Sequence, residues 1–189
     1  MKRVFVIHGW GGSPTGEWFP WIKKELEKRK LEVNVLEMPD TDCPKINAWV
    51  NTLKDAVKSI DTETYFVGHS IGCQTILRYL QKSNKQAGGI VFVAPWTILK
   101  GLEADDQEIA KPWLKTKIDF EKIKKTNTKF VAIFSDDDPF VPLENKDVFK
   151  EKLDAKIIIE RNKGHFSADN NTTEVKSALD ELLKLAKNH

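Results

Sequence analysis

Six short runs of β-forming residues, separated by amphipathic stretches, constrain this chain more than any other feature. They are RVFVIH (3–8), EVNVLEM (32–38), TYFVG (64–68), GIVFVA (89–94), KFVAIF (129–134) and KIIIER (156–161). Several are nearly continuous Val, Ile and Phe, the pattern of strands covered on both faces. Between them, Ile46, Trp49, Val50, Leu53, Val57 and Ile60 recur at spacings of three and four and form one apolar helical stripe. Val175, Ala178, Leu179, Leu182 and Leu185 repeat the pattern after a Thr172–Thr173 start signal. Further helices are expected over 18–30, after Gly72, and over 143–153 behind Pro142. Strand alternating with helix predicts an α/β fold with a mostly parallel sheet, right-handed crossovers and helices on both faces. At 189 residues the chain fits one domain, 1–189.

Such sheets bind ligands beyond the carboxyl ends of their strands, where strand order reverses. In a 2-1-3 arrangement that point lies between the first and third strands. The first runs into HGWGGSPTG and the third into GHSIG, so two glycine-rich loops flank one crevice. A strand turning sharply into a helix strains the residue at the bend and crowds its neighbours. Gly68 and Gly72, two before and two after Ser70, relieve that crowding, and the bend lifts the Ser70 hydroxyl out of the sheet. The Ile71 N–H is left at a helix N-terminus, which favours negative charge. The plainer reading is a solvated serine in a strand–turn–helix.

A serine hydroxyl needs a base to become a nucleophile. Of the 4 histidines, His189 is terminal, and His8 and His69 sit at strand ends inside the glycine loops, where packing or loop hydrogen bonding suits them. His165, in RNKGHFSAD after the sixth strand, lies on the same edge of the sheet as Ser70. The base in turn needs a carboxylate to fix its tautomer. The fifth strand ends in SDDDPFVP, which offers Asp136, Asp137 and Asp138. Pro139 biases Asp138 towards an extended backbone, but spacing does not separate the three.

The stretches VFVIHGWGGSP, MPDTD, FVGHSIG, VAPW, SDDDPFVP and GHF occur in order and at fitting separations. With them the sequence resembles the α/β-hydrolase superfamily over essentially its whole length. More narrowly it is similar to the small serine hydrolases related to retinoblastoma-binding protein 9, the YdeN-like group. The resemblance implies a compact core whose six-stranded sheet runs 2-1-3-4-5-6, without a large cap. It also implies Ser70 as nucleophile, Asp138 as triad acid and His165 as base, with the backbone N–H groups of Ile71 and Trp10 as oxyanion donors. The expected reaction is acyl transfer to water through an acyl-enzyme, with no cofactor. The resemblance supplies no substrate, and the small pocket expected below suits short or aromatic acyl esters, with amides as a further class. The chain contains no Leu-x-Cys-x-Glu motif, so the binding activity in that family's name finds no support here.

Trp10 and Trp96 follow strand ends on the active edge, and Phe140 and Phe166 adjoin the expected acid and base. These four are expected to line a small apolar pocket, with Trp113 a further candidate, whereas Trp49 and Trp21 suit helical core faces. A net charge of +2 from 30 basic and 28 acidic residues argues against a nucleic-acid partner. The lysine-rich stretch 111–129 reads as a solvated surface. The apolar run Val4–Ile7 is far too short for a membrane span or a signal segment, and the chain has 2 cysteines, so a cytoplasmic protein without a structural disulfide is expected. Two other functional readings compete. In one, His8, His69, His165 and the acidic triplet hold a catalytic metal, although their spacing fits no zinc motif. In the other, the fold is a catalytically silent interaction module.

Overall fold

The computed structural model describes residues 1–187; His189 lies outside the described residues. The six strands are Arg3–Ile7 (β1), Glu32–Leu36 (β2), Thr64–His69 (β3), Gly89–Val93 (β4), Phe130–Ser135 (β5) and Lys156–Glu160 (β6). They form one sheet in the order β2-β1-β3-β4-β5-β6. Every neighbouring pair is parallel, so the sheet is wholly parallel. β3, β4 and β5 are buried at every position, in keeping with their largely apolar runs, while the outer strands β2 and β6 carry half-exposed positions.

The helices are Phe19–Glu27 (α1), Ile46–Val57 (α2), Ile71–Ser83 (α3), Ala104–Lys115 (α4), Phe120–Lys124 (α5), Asn145–Leu153 (α6) and Lys176–Lys187 (α7). α1 touches α7, while α2 packs on α3, α3 on α5 and α5 on α6. Both α3 and α7 lie against β3, which places it in the middle of the core. The α2 stripe buries Trp49, Val50, Leu53 and Val57, as its spacing predicts. The segment after β4 is pinned at both ends. Asn145 Oδ1 accepts the N–H groups of Thr97 (2.7 Å) and Ile98 (3.1 Å) and pins its start. The buried Arg78 on α3 donates to the carbonyls of Trp113 (2.6 Å) and Thr116 (2.9 Å) and pins its end. Those carbonyls close α4, where orphan acceptors and the helix dipole favour a cation.

The parallel arrangement sends β1, β3, β4, β5 and β6 out of the sheet at one edge. The loops that carry Trp10, Ser70, Trp96, Asp138 and His165 all follow those strand ends.

Candidate active site

Ser70 stands between β3 and α3 with φ 52° and ψ −117°, a conformation that costs a non-glycine residue energy. Its N–H donates to the Val93 carbonyl (2.9 Å), so the sheet ladder holds the bend up to its last residue. The flanking glycines are required by close approach. A Cβ on Gly72 would lie 2.4 Å from the Ile7 carbonyl oxygen and 2.8 Å from that of His8. One on Gly68 would lie 2.9 Å from the Cys73 nitrogen. The crowding therefore comes from the end of β1 and from the first turn of α3, which the sequence pattern alone did not distinguish from the backbone of Ser70.

His165 Nε2 lies 3.0 Å from Ser70 Oγ, and His165 Nδ1 lies 2.8 Å from Asp138 Oδ2. Asp138 is 3% exposed, and its other oxygen accepts the N–H groups of Phe140 (2.8 Å) and Val141 (2.9 Å). An ionised carboxylate held this way fixes the imidazole with its proton on Nδ1 and its Nε2 lone pair on the serine hydroxyl. The acidic triplet divides its work. Asp136 accepts the Asn162 N–H (2.9 Å), while Asp137 accepts the Ser135 hydroxyl (2.6 Å) and the Gly164 N–H (2.8 Å). These two carboxylates tie down the loop that carries His165, and Asp138 meets its ring. The Ser135 hydroxyl, first among the causes, holds the Asp137 carboxyl below its usual range.

Two positive-φ residues, Gly164 (50°) and Phe166 (55°), flank His165, and the Asn170 amide oxygen accepts its N–H (2.9 Å). The glycine is needed because a Cβ there would lie 2.2 Å from the Asn170 side chain. Phe166 faces away from the cleft. Its side chain is fully buried and its carbonyl accepts the Trp18 indole N–H (3.1 Å), so its expected place on the pocket wall is corrected to the core. The left-handed backbone that aims His165 at Ser70 turns the next side chain inward.

The cleft over Ser70 has a volume of about 500 Å³, within the range of small-molecule sites. Trp10, Trp96 and Phe140 line it, joined by Leu99 and Leu102 from the segment before α4. Trp113 does not reach it. That ring is buried edge-on against Trp49, and its indole N–H donates to the Pro44 carbonyl (2.8 Å). Ile71 opens α3, so its N–H has no helical carbonyl to meet. In the β1 loop the N–H groups of Gly11 and Gly12 are committed to the carbonyls of Thr41 (3.0 Å) and Gly9 (3.2 Å), while the Trp10 N–H has no backbone partner among the described residues. A Cβ on Gly9 would lie 3.6 Å from Ser70 Cβ, so this loop abuts the bend.

His8 and His69 fill the structural places expected of them. His8 Nε2 accepts the Met38 N–H (3.3 Å), and its Nδ1 donates to the Gly9 carbonyl (2.8 Å). His69 Nε2 donates to the His165 carbonyl (2.8 Å). Shared ligation by His8, His69 and His165 would have to break these bonds, and among the described residues no group of three or more His, Cys, Asp or Glu is placed to hold a metal ion.

The chain has counterparts among known proteins. A family model described as "Serine hydrolase" matches residues 4–184. The chain belongs to the serine hydrolase family. Within it, the chain is 32% identical to the YdeN protein of Bacillus subtilis (strain 168) over 184 residues, covering 96% of this chain and 94% of that one. The crystal structure of that gene product superposes with a TM-score of 0.89 over 99% of this chain and 100% of its own. Serine hydrolase RBBP9 of Rattus norvegicus is 28% identical over 167 residues, 87% of either chain. Est1E of Butyrivibrio proteoclasticus, solved with ferulic acid bound, shares the fold with a TM-score of 0.72 at 14% identity, over 99% of this chain and 90% of its own. The α/β-hydrolase fold and the serine hydrolase family expected from the motifs are both found. No helix among the described residues is long and apolar enough to cross a membrane.

Sequence reasoning missed several residues of this cleft, Leu99, Leu102 and Glu17 among them. Glu17 lines the cleft of this serine hydrolase beside His69, with Nδ1 to Oε2 at 3.5 Å. Nothing in SPTGEW marks it, because its importance comes from burial by other loops.

Proposed function

We propose that this serine hydrolase cleaves small carboxylic esters, with amides as a second class. In this reading Ser70 is the nucleophile, His165 the base, Asp138 its orienting carboxylate, and the Ile71 and Trp10 N–H groups the oxyanion donors. The observation that carries it is the hydrogen-bonded chain from Ser70 Oγ through the His165 ring to Asp138, at 3.0 and 2.8 Å, opening on a cleft. Ser70 attacks the carbonyl carbon as Nε2 takes its proton. The carbonyl electrons move to oxygen, where two backbone N–H groups receive the charge. The imidazolium, stabilised by Asp138, returns the proton to the leaving alcohol or amine as the carbon–oxygen or carbon–nitrogen bond breaks. Water then attacks the acyl-serine by the same route and releases the acid.

The walls support the choice of acyl group. Trp10, Trp96 and Phe140 offer flat apolar faces, and Phe140 stands edge-on to the His165 ring with centroids 5.4 Å apart. Ferulic acid bound to Est1E is an aromatic acid on the same fold, which supports short or aromatic acyl groups here. A cytoplasmic location belongs to this reading, supported by two unpaired cysteines, Cys43 and Cys73. The test is turnover of a panel of short aliphatic and aromatic acyl esters, aminoacyl esters and peptides by the wild type and Ser70→Ala. Turnover that is lost in Ser70→Ala is expected. A wild type inert to the whole panel would favour the silent interaction module.

A further inference from the structure

Glu17 stands outside the triad yet shares its cleft. It lies in the loop between β1 and α1 with φ 50°, and its side chain is 18% exposed. Its Oε2 is buried without a hydrogen-bond partner, as is the His69 Nδ1 that faces it at 3.5 Å. The His69 tautomer is fixed from the far side of the ring. Nε2 lies 2.8 Å from the His165 carbonyl oxygen, which can only accept, so Nε2 carries the proton. A neutral ring then turns a lone pair towards Glu17. Two acceptors face each other in a buried place unless one of them holds a proton.

Burial decides which one does. It is the first cause holding His69 down to about 3, so this imidazole stays neutral near neutrality. It is also the first cause pushing Glu17 up to about 7. Other groups act on the pair. The His165 ring and the Ala168 backbone favour ionised Glu17, while Asp169 opposes it. His165 and His8 disfavour a charge on His69, while its bond to the His165 backbone and the nearby Asp138 favour one. Desolvation outweighs them at both residues.

We propose that Glu17 is a positioning residue whose carboxyl O–H donates to His69 Nδ1, so that the His69 ring holds the His165 main chain and keeps the His165 side chain on Ser70. Closing the present gap to an ordinary O–H···N bond takes a shift of about 0.7 Å. The chain of contacts runs from Glu17 to His69 Nδ1, through the ring to Nε2, to the His165 carbonyl, and so to the backbone that bears the base. Ionisation of Glu17 removes the donor and sets a carboxylate against a lone pair. The acid is therefore the working form, and hydrolysis declines as pH rises through its ionisation.

This inference rests on the triad reading above, and its test keeps the two apart. The ratio kcat/KM for a short acyl ester is measured from pH 5.5 to 9.5 in wild type, Glu17→Gln and Glu17→Leu, alongside imidazole nitrogen resonances of His69 in the same proteins. Wild type is expected to lose about fivefold on an alkaline limb, the worth of one hydrogen bond. Glutamine donates at every pH, so E17Q is expected to lack that limb. Leucine neither donates nor titrates, so E17L is expected to be flat at alkaline pH but about fivefold below E17Q. The His69 Nδ1 resonance is expected to step with a midpoint near 7 in wild type, matching Glu17, and to lose that step in E17Q. An alkaline limb or a resonance step that survives unchanged in E17Q overturns the proposal, as does an E17L plateau equal to that of E17Q. If no ester is hydrolysed by wild type, the triad reading fails, and the resonances still decide whether Glu17 and His69 share a proton.

Discussion

Asp138→Asn changes one atom in the chain of contacts, and the surroundings dictate how the new amide must sit. Oδ1 of Asp138 accepts two backbone N–H groups, from Phe140 and Val141, at 2.8 and 2.9 Å. An asparagine that turned its NH₂ towards them would set donor against donor twice. It would leave two N–H groups unpaired, at about 1–3 kcal/mol each. The amide oxygen therefore stays on the backbone, and the NH₂ faces His165 Nδ1. The ring must then accept at Nδ1 and carry its proton on Nε2, where it meets Ser70 Oγ and has no lone pair for the serine proton. A base locked in the wrong tautomer loses on the order of 10⁴-fold in kcat, about 5.5 kcal/mol of barrier. The fold changes little, because the exchange is isosteric and both backbone bonds survive. Asp137→Asn is the internal control. Its oxygen can still accept from Ser135 and Gly164, so the His165 loop stays in place and the loss stays below about tenfold. Asp136→Asn keeps its single bond to the Asn162 N–H in the same way. The assay is kcat and KM on a short acyl ester, with thermal unfolding as the folding control. An Asp138→Asn enzyme that keeps more than a tenth of wild-type kcat, or an Asp137→Asn enzyme that proves the more damaged, refutes the assignment.

Two further outcomes concern stability. Gly72→Ala drives a Cβ to within 2.4 Å of the Ile7 carbonyl and 2.8 Å of the His8 carbonyl, both backbone atoms that cannot swing away. It is expected to cost about 3 kcal/mol and lower Tm by about 9 °C, read by thermal unfolding, and an unchanged Tm would contradict the close approach. Glu17 holds its proton in the folded chain up to about 7, whereas the unfolded chain releases it near 4.5. Between those values the folded state binds more protons, so stability falls as pH rises from 4.5 to 7 and is level above. Glu17→Gln removes this loss. Urea unfolding is expected to show E17Q gaining about 3 kcal/mol more over wild type at pH 8 than at pH 4.5, and an equal gain at both would show that Glu17 is not held protonated.

The sequence carried the scaffold because burial on both faces leaves a visible trace. β3, β4 and β5 carry long apolar runs, Tyr65–Val67, Ile90–Val93 and Phe130–Phe134, and each strand is buried throughout. The bend at Ser70 was legible for a related reason, since only glycine tolerates backbone at the distances found around Gly68 and Gly72. Side-chain direction within loops was not legible. Phe166 sits beside His165 in sequence but points into the core, because its positive φ reverses the side chain relative to its neighbour. Trp113, a further candidate for the wall, is a buried ring on the inner face of α4 against Trp49. The short α5, Phe120–Lys124, escaped notice because five residues carry too little periodicity among the lysines, though Asp119 caps it by accepting the Lys122 N–H. Glu17 was invisible for the strongest reason. Its character is set by His69 and by the 165–169 loop, which are far away in the chain.

The most direct test of the account is to treat the protein with a fluorophosphonate, measure the intact mass, and map the adduct by peptide sequencing in wild type, Ser70→Ala and His165→Ala. One phosphonyl group on Ser70 in wild type is expected, with none in Ser70→Ala and labelling slowed at least a hundredfold in His165→Ala. An adduct on any other residue, or equal labelling of Ser70 without the imidazole of residue 165, would contradict the central claim.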